Sequence, residues 1–450
     1  MATAGARAKS ATDRPCDHDA VTATQIPTTT EVAQIQSRTV RTLMTSQMLG
    51  GIGVASGIAV GALMAADISG SDSLSGLAST SQILGGALFT IPVAALMASR
   101  GRRVGLVVAY IVGTVGAILA ITATVISSFA LLLFGTLCFG AATTANSQSR
   151  YAAVDLAIPS RRGRQLSLVV WATTIGSVLG PNIIGPGAAI ARTLGIPDLA
   201  GAWVISSVGF SAAIAVLWVA LRPDPLLTAR ALAAADIEFV EAPAPAKPGT
   251  SKGSVRRGFS IIRATPSALL GTIAIAGGHV VMVSVMVMTP LHMKHGDASI
   301  EIIGFVISLH ILGMFGLSPL SGYLTDRFGS PAVIVGGVAL LLSACLFAGL
   351  SGAGFSWMLS VGLILLGLGW SATMVAGSSL IAGSVTVADR SAVQGASDVA
   401  MGLSAALAGA LAGVVVDVFG YGWLCLFAGV AAAALGVYTT SSREVVSLSA

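Results

Sequence analysis

Two stretches of this chain, residues 104–149 and 328–388, contain no Asp, Glu, Lys or Arg at all. A third, between Arg164 and Arg192, is equally bare. Crossing the hydrocarbon core takes about 20 apolar residues in helical form. The first two windows are therefore each long enough for two crossings, and they break at Ser127-Ser128 and at Ser351 to Gly354. Only 10% of the chain is charged and 54% is hydrophobic, against roughly 25% charged residues in soluble domains. A water-soluble fold has no way to hide that much apolar surface, so the solvent is lipid. The apolar runs are continuous instead of alternating, which makes them helices and not barrel strands.

Twelve segments satisfy the length, near 43–66, 74–98, 104–126, 129–149, 165–190, 199–221, 267–290, 299–323, 331–350, 355–384, 391–416 and 419–439. Residues 1–42 are polar, of mixed charge and without a signal peptide, and are expected to be a disordered cytoplasmic tail. With the N-terminus inside and the segments alternating, every Lys and Arg falls on the cytoplasmic side except Arg192 and Lys294. Both termini, 440–450 included, are then expected in the cytoplasm of a cell whose plasma membrane holds the chain. The net charge of +5 reports this topology and implies no nucleic-acid partner. Cys16 lies in the tail, while Cys138, Cys345 and Cys425 lie within segments. Their spacing builds neither a metal site nor a disulfide framework, and no cofactor is expected.

Residues 223–266 form the one long polar insertion, rich in Pro, Ala and charge. They are expected to be a flexible linker between a first bundle, 43–222, and a second, 267–439. Its last part, "SVRRGFSIIRATP", reads either as a short helix on an anionic leaflet or as ordinary positive flanking. The two bundles resemble each other. "QILGGALFTIP" from Gln82 recurs as "HILGMFGLSP" from His310, and an offset of 229 pairs Arg161 with Arg390, Gln165 with Gln394 and Gly180 with Gly409. A parallel repeat of this kind suits two bundles rocking about a shared site.

These residues make the chain resemble the major facilitator superfamily. "GYLTDRFGSP" places Gly322, Asp326, Arg327 and Gly329 as that family's loop between helices 8 and 9 does. "ALMASRGRRVG" keeps Arg100, Gly101, Arg102 and Arg103 between helices 2 and 3, with Ser99 where aspartate is usual. The resemblance implies an all-α membrane protein of twelve helices in two pseudo-symmetric six-helix bundles, acting as a monomer on a small-molecule substrate and on protons. It also implies gating roles for Asp326, Arg327, Arg100 and Arg102.

The fifth segment, "ATTIGSVLGPNIIGPG", further resembles the glycine-rich motif of the proton-coupled drug-exporter branch at Gly176, Gly180, Pro181 and Gly185. Ser167 and Ile184 depart from it. Gly176 and Gly180, one turn apart, leave a flat face for close helix approach, and Pro181 bends the helix. The face reads either as plain small-residue packing or as a gate contact, with helix 8 of the second bundle as the expected partner.

Ionisable groups at membrane depth cost at least about 2.5–3.5 kcal/mol, so the few present are candidates for carrying the proton. They are His279, His310, Asp398 and Arg150, each with a purely structural alternative. Arg150 is free to pair with Asp155, and Asp398 with Arg390. The exporter branch usually places an arginine earlier in helix 4, where this chain has Thr136. By resemblance the cavity is lined by helices 1, 4, 7 and 10, offering Gln47, Asn146, His279, Met282, Met286, Met288, Trp370 and Met374. Methionine and tryptophan with few charges suit a lipophilic substrate. Near the opposite face, His292, His295, Asp297 and Glu301 read as a solvated loop or as a metal or pH site. No nucleotide-binding loop or catalytic triad occurs, so an enzyme is not expected. The expected function is proton-coupled efflux by antiport. Proton symport of a metabolite and a non-conducting membrane sensor are the alternatives.

Overall fold

The computed structural model describes residues 28–70, 74, 76–179, 184–235 and 255–448. The helices of the first bundle are α1 (Thr29–Ser69), α2 (Gly76–Arg100), α3 (Arg102–Val125), α4 (Phe129–Ala152), α5 (Arg162–Leu179), α6 (Ile184–Leu194) and α7 (Ala200–Ala220). The linker contributes α8 (Pro225–Ala234) and α9 (Val255–Ala264). The second bundle holds α10 (Pro266–His295), α11 (Ile300–Ile311), α12 (Ser318–Phe328), α13 (Ser330–Gly349), α14 (Trp357–Ser384), α15 (Arg390–Phe419) and α16 (Tyr421–Leu448). Ten helical spans among the described residues are long and apolar enough to cross a membrane. With α1 and the α5–α6 pair they complete the twelve-helix fold. The breaks at Ser127-Ser128 and Ser351 to Gly354 fall between α3 and α4 and between α13 and α14.

Three boundaries differ from the sequence reading. Helix α1 begins at Thr29, well inside the expected tail, because Thr28 and Glu31 form a reciprocal capping box. The Thr28 amide and hydroxyl hold the Glu31 carboxyl below the usual carboxylate range. The linker begins with helix α8 instead of a flexible segment, since Asp224 caps it through the amides of Leu226 and Leu227, while its last part takes the helical alternative as α9, packed on α15. Helix α16 runs to Leu448 and takes up most of the expected C-terminal tail. Gly180 and Pro181, like residues 1–27 and 236–254, lie outside the described residues. The eighth span divides into α11 and α12 around a π-helical turn at Leu312–Gly316.

Each bundle has its own interior. One apolar cluster runs from Val40 to Leu221 and another from Val255 to Ala432. Two small seams join them: Val32, Leu156, Leu226, Ala229 and Leu232 with Val387, and Val154, Ala157, Leu166 and Val170 with Val375 and Ala382. Large apolar side chains such as Leu88, Ile118, Val219, Leu407 and Val437 face outward, where lipid and not water is the partner.

The repeat is visible in the backbone. Gly101 turns the chain between α2 and α3 at φ 91° and ψ 172°, and Gly329 turns it between α12 and α13 at φ 81° and ψ 153°. This left-handed region is open to glycine and strained for other residues. Matching the two turns places Asp326 opposite Ala98, one residue before the Ser99 expected from sequence. Ser99 is exposed, its hydroxyl bonded to its own helix at Ala95 and Leu96.

Candidate functional site

The bundle end that carries the linker is closed by side chains from both halves. On α15, Arg390, Gln394 and Asp398 recur every fourth residue and so share one face. Each meets the first bundle. Arg390 Nη1 donates to the Asp155 carbonyl at 3.1 Å, and Arg102 Nη2 donates to Gln394 Oε1 at 2.5 Å. Asp398 accepts from Arg150 Nη2 at 2.5 Å, from Gln148 Nε2 at 2.7 Å and from the Tyr151 hydroxyl at 3.3 Å.

Arg102 ties the ladder together. It forms a two-pronged pair with Asp155 at 2.8 and 3.2 Å and reaches Gln148 at 3.5 Å. Arg102, Gln148, Asp155 and Gln394 are fully buried, and Arg150 and Asp398 nearly so. Buried charges are tolerated only in such company. Removing one member leaves its partner stranded at a cost of about 3–5 kcal/mol.

A second contact links the halves without an ion pair. The Asp326 carboxylate accepts from the backbone amides of Gly163 at 2.7 Å and Arg164 at 2.8 Å. These are free donors at the start of α5, where the helix dipole also favours a negative group. Beside it, Ser318 Oγ donates to the Ser167 carbonyl. Gly163 and Gly322 allow α5 and α12 to touch, as a Cβ on Gly163 would stand 2.6 Å from the Gly322 carbonyl oxygen. Arg100 and Arg327 are exposed, and Arg327 lies over the Phe328 ring.

Several expected placements change. Gly176 faces Gly51 of α1 within its own bundle, not helix 8 of the other. The surface of α5 that meets α12 carries Gly163 and Ser167 instead. Arg150 pairs with Asp398 and not with Asp155. Asp398 does not bond Arg390, whose carboxylate neighbour is Asp155 at 3.9 Å.

The cavity candidates divide between the two bundles. On one side Gln47 Nε2 donates to Thr173, and the Tyr110 hydroxyl donates to Asn146 Oδ1. On the other, Trp370 Nε1 donates to His279 Nδ1 at 2.8 Å. That bond leaves the proton of the neutral ring on Nε2. Phe315 stands edge-on to Trp370, and Met282 and Met374 are buried in the same cluster, with Met286 packed against it. His310 lies apart, its Nδ1 bonded to the Leu363 carbonyl at 2.8 Å, seven residues from Trp370 along α14 and so about 10 Å away. His292 stacks on Tyr421 with ring centroids 4.1 Å apart, and the described residues contain no cluster able to hold a metal ion. Gln394, noted in sequence only as the repeat partner of Gln165, was not read as a site residue, nor were Asp224, Arg230 and the Arg257–Asp389 pair. The four-residue spacing of Arg390, Gln394 and Asp398 was the signal available for the first.

The sequence profile of the Major Facilitator Superfamily matches residues 42–299 and 282–445, two overlapping matches that together cover both bundles. The chain belongs to that superfamily. YdeG of Bacillus subtilis, an uncharacterized MFS-type transporter, is 35% identical over 92% of this chain and 96% of its own length. The riboflavin transporter RfnT of Brucella anthropi is 26% identical, covering 85% of this chain and 90% of RfnT. Among solved structures, the proton:xylose symporter XylE superposes with a TM-score of 0.70 at 13% identity, covering 91% of this chain and 96% of XylE.

Superfamily membership makes the chain an integral membrane transporter and not an enzyme. Members bind small molecules and draw on ion gradients. The ladder and the Asp326 contact both join the two halves at the linker end.

Proposed function

We propose that this chain exports small lipophilic compounds in exchange for protons by alternating access. The observation that carries the reading is the Arg150–Asp398 pair, a buried ionised bond between the two bundles at the closed end. The distribution of lysine and arginine supports placing that end in the cytoplasm, so the described state is read as outward-facing. A proton arriving from outside neutralises Asp398, releases Arg150 and removes one rung joining the halves. The cytoplasmic end then opens, substrate enters, and the proton leaves toward the less acidic side. Re-forming the pair favours the outward-facing state again. Asp326 and the start of α5 act as the second contact of the same gate. Arg100, Arg102 and Arg327 flank it, and Gly163 at the start of α5 permits its close packing.

Export is supported by the glycine-rich fifth span and by the apolar lining of Met282, Met286, Trp370 and Met374. Gln47 and Asn146 of the first bundle and His279 of the second supply polar points. The competing reading is proton symport of a metabolite, favoured by the likeness to RfnT. Inverted membrane vesicles with an acidic lumen distinguish them, using a panel of lipophilic fluorescent dyes as probes. Dye accumulation with dye-stimulated proton release is the expected result. Gradient-driven loss of a preloaded metabolite such as riboflavin from the lumen would establish symport, and dye binding without flux would establish a sensor.

A further inference from the structure

The two halves of the gate are not built alike. At the α12–α13 turn, Asp326 reaches across to the first free amides of α5. At the matching α2–α3 turn, the position of Asp326 is taken by Ala98, whose methyl side chain accepts no hydrogen bond. The linker fills that place. Arg230 of α8 donates from Nη1 to the Ala98 carbonyl at 2.6 Å and from Nη2 to the Ala388 carbonyl at 3.3 Å. Ala98 lies in the last turn of α2, and Ala388 lies two residues before α15. One guanidinium thus spans both bundles at the point where the symmetric acid is missing.

The rest of α8 is seated to hold Arg230 there. Asp224 caps α8 with Oδ1, while its Oδ2 accepts from the Arg103 amide at 2.8 Å in the first turn of α3. Gly101 clears room for that carboxylate, since a Cβ there would stand 2.5 Å from Asp224 Oδ2. On its inner side α8 buries Leu226, Ala229 and Leu232 against Val32 and Leu156 of the first bundle and Val387 of the second. Polar and apolar contacts therefore agree: α8 is wedged between the halves, not draped over them.

We infer that α8 is a working part of the gate, and that Arg230 is a positioning residue standing in for the carboxylate absent at Ala98. Opening the linker end requires Arg230 to release one bundle and Val387 to leave the Leu226–Leu232 face. The linker thus sets how readily the transporter switches, whatever it carries.

The test uses Ala94→Cys as reporter, because Ala94 is buried on α2 against Gly395 of α15 across the seam. Cys16, Cys138 and Cys345 are replaced by alanine, and Cys425, fully buried in the second bundle, is kept as an internal measure of an intact fold. Labelling by a water-soluble maleimide is followed without substrate or gradient. Arg230→Ala is expected to speed labelling at position 94 roughly tenfold, the effect of about 1.4 kcal/mol on the closed state. Arg230→Lys, which keeps the charge but loses the fork, should fall between, with Cys425 protected throughout. Leu232→Ala tests the apolar face in the same way. Unchanged rates at position 94 in all three variants would overturn the inference. Because the measurement needs neither proton nor cargo, its outcome is separate from that of the export reading.

Discussion

Arg150 on α4 and Asp398 on α15 come from different bundles, yet their side chains meet at 2.5 Å with almost no exposure to solvent. Gln148 and Tyr151 complete the coordination of the same carboxylate. In the proposed cycle this ion pair is the switch element, because the stability it gives the closed state exists only while both partners are charged.

Asp398→Asn keeps the shape and removes the titratable charge. Proton-driven dye accumulation is expected to fall at least tenfold, about 1.4 kcal/mol of coupling, while downhill dye exchange persists. Accumulation that still follows the pH gradient in this variant would clear Asp398 of the proton role. His310→Asn, at a histidine bound to the Leu363 carbonyl, is expected to leave the pH profile of coupled flux unchanged.

A double-mutant cycle isolates the pair. Arg150→Met alone strands a buried carboxylate and is expected to cost about 3–5 kcal/mol in the closed state, read as a lower unfolding midpoint in detergent. Arg150→Met with Asp398→Leu should cost less than the sum of the single changes, with a coupling of about 1–3 kcal/mol. Strict additivity would mean that the two side chains do not interact.

Asp326→Asn retains an oxygen for the α5 amides but loses the charge that the helix start favours. Transport is expected to drop several-fold, in line with about 1 kcal/mol for a charge at a helix terminus, with normal amounts of protein in the membrane. Wild-type flux would remove Asp326 from the gate.

Two glycines of the same motif should behave differently. A Cβ on Gly176 would collide with the Gly51 backbone of α1, whereas one on Gly185 would meet nothing within 4 Å among the described residues. Gly176→Ala is expected to lower the unfolding midpoint by the equivalent of about 1–3 kcal/mol, and Gly185→Ala to leave it unchanged. Equal midpoints for both would show that α5 and α1 do not pack as described.

The fold was legible because uncharged runs such as 104–149 leave a chain few choices, and the repeat of Arg161 with Arg390 announced two bundles. The Asp326 loop was legible because its glycine and acid recur in a fixed order. The pairing of Arg150 was not. Asp155 is closer in sequence, and only the crossing of α4 and α15 brings Asp398 nearer. Helix α8 was hidden for a different reason. Pro and Ala lower the apparent order of "RPDPLLTARALAAAD", and its stability comes from Asp224 as a cap and from burial of Leu226 and Leu232 against partners far away in sequence. The α2–α3 register slipped by one residue because Arg100 and Gly101 both invite alignment. The left-handed turn at Gly101 decides it.

The interiors running from Val40 to Leu221 and from Val255 to Ala432 share no residue. In the proposed cycle one bundle tilts on the other with the interior of each left whole, and only the seam side chains exchange neighbours. The work of switching is confined to two thin apolar seams and a handful of polar bonds. A protein built this way keeps its resistance to unfolding and its ease of motion in different places, so mutations that alter transport speed need not weaken the fold.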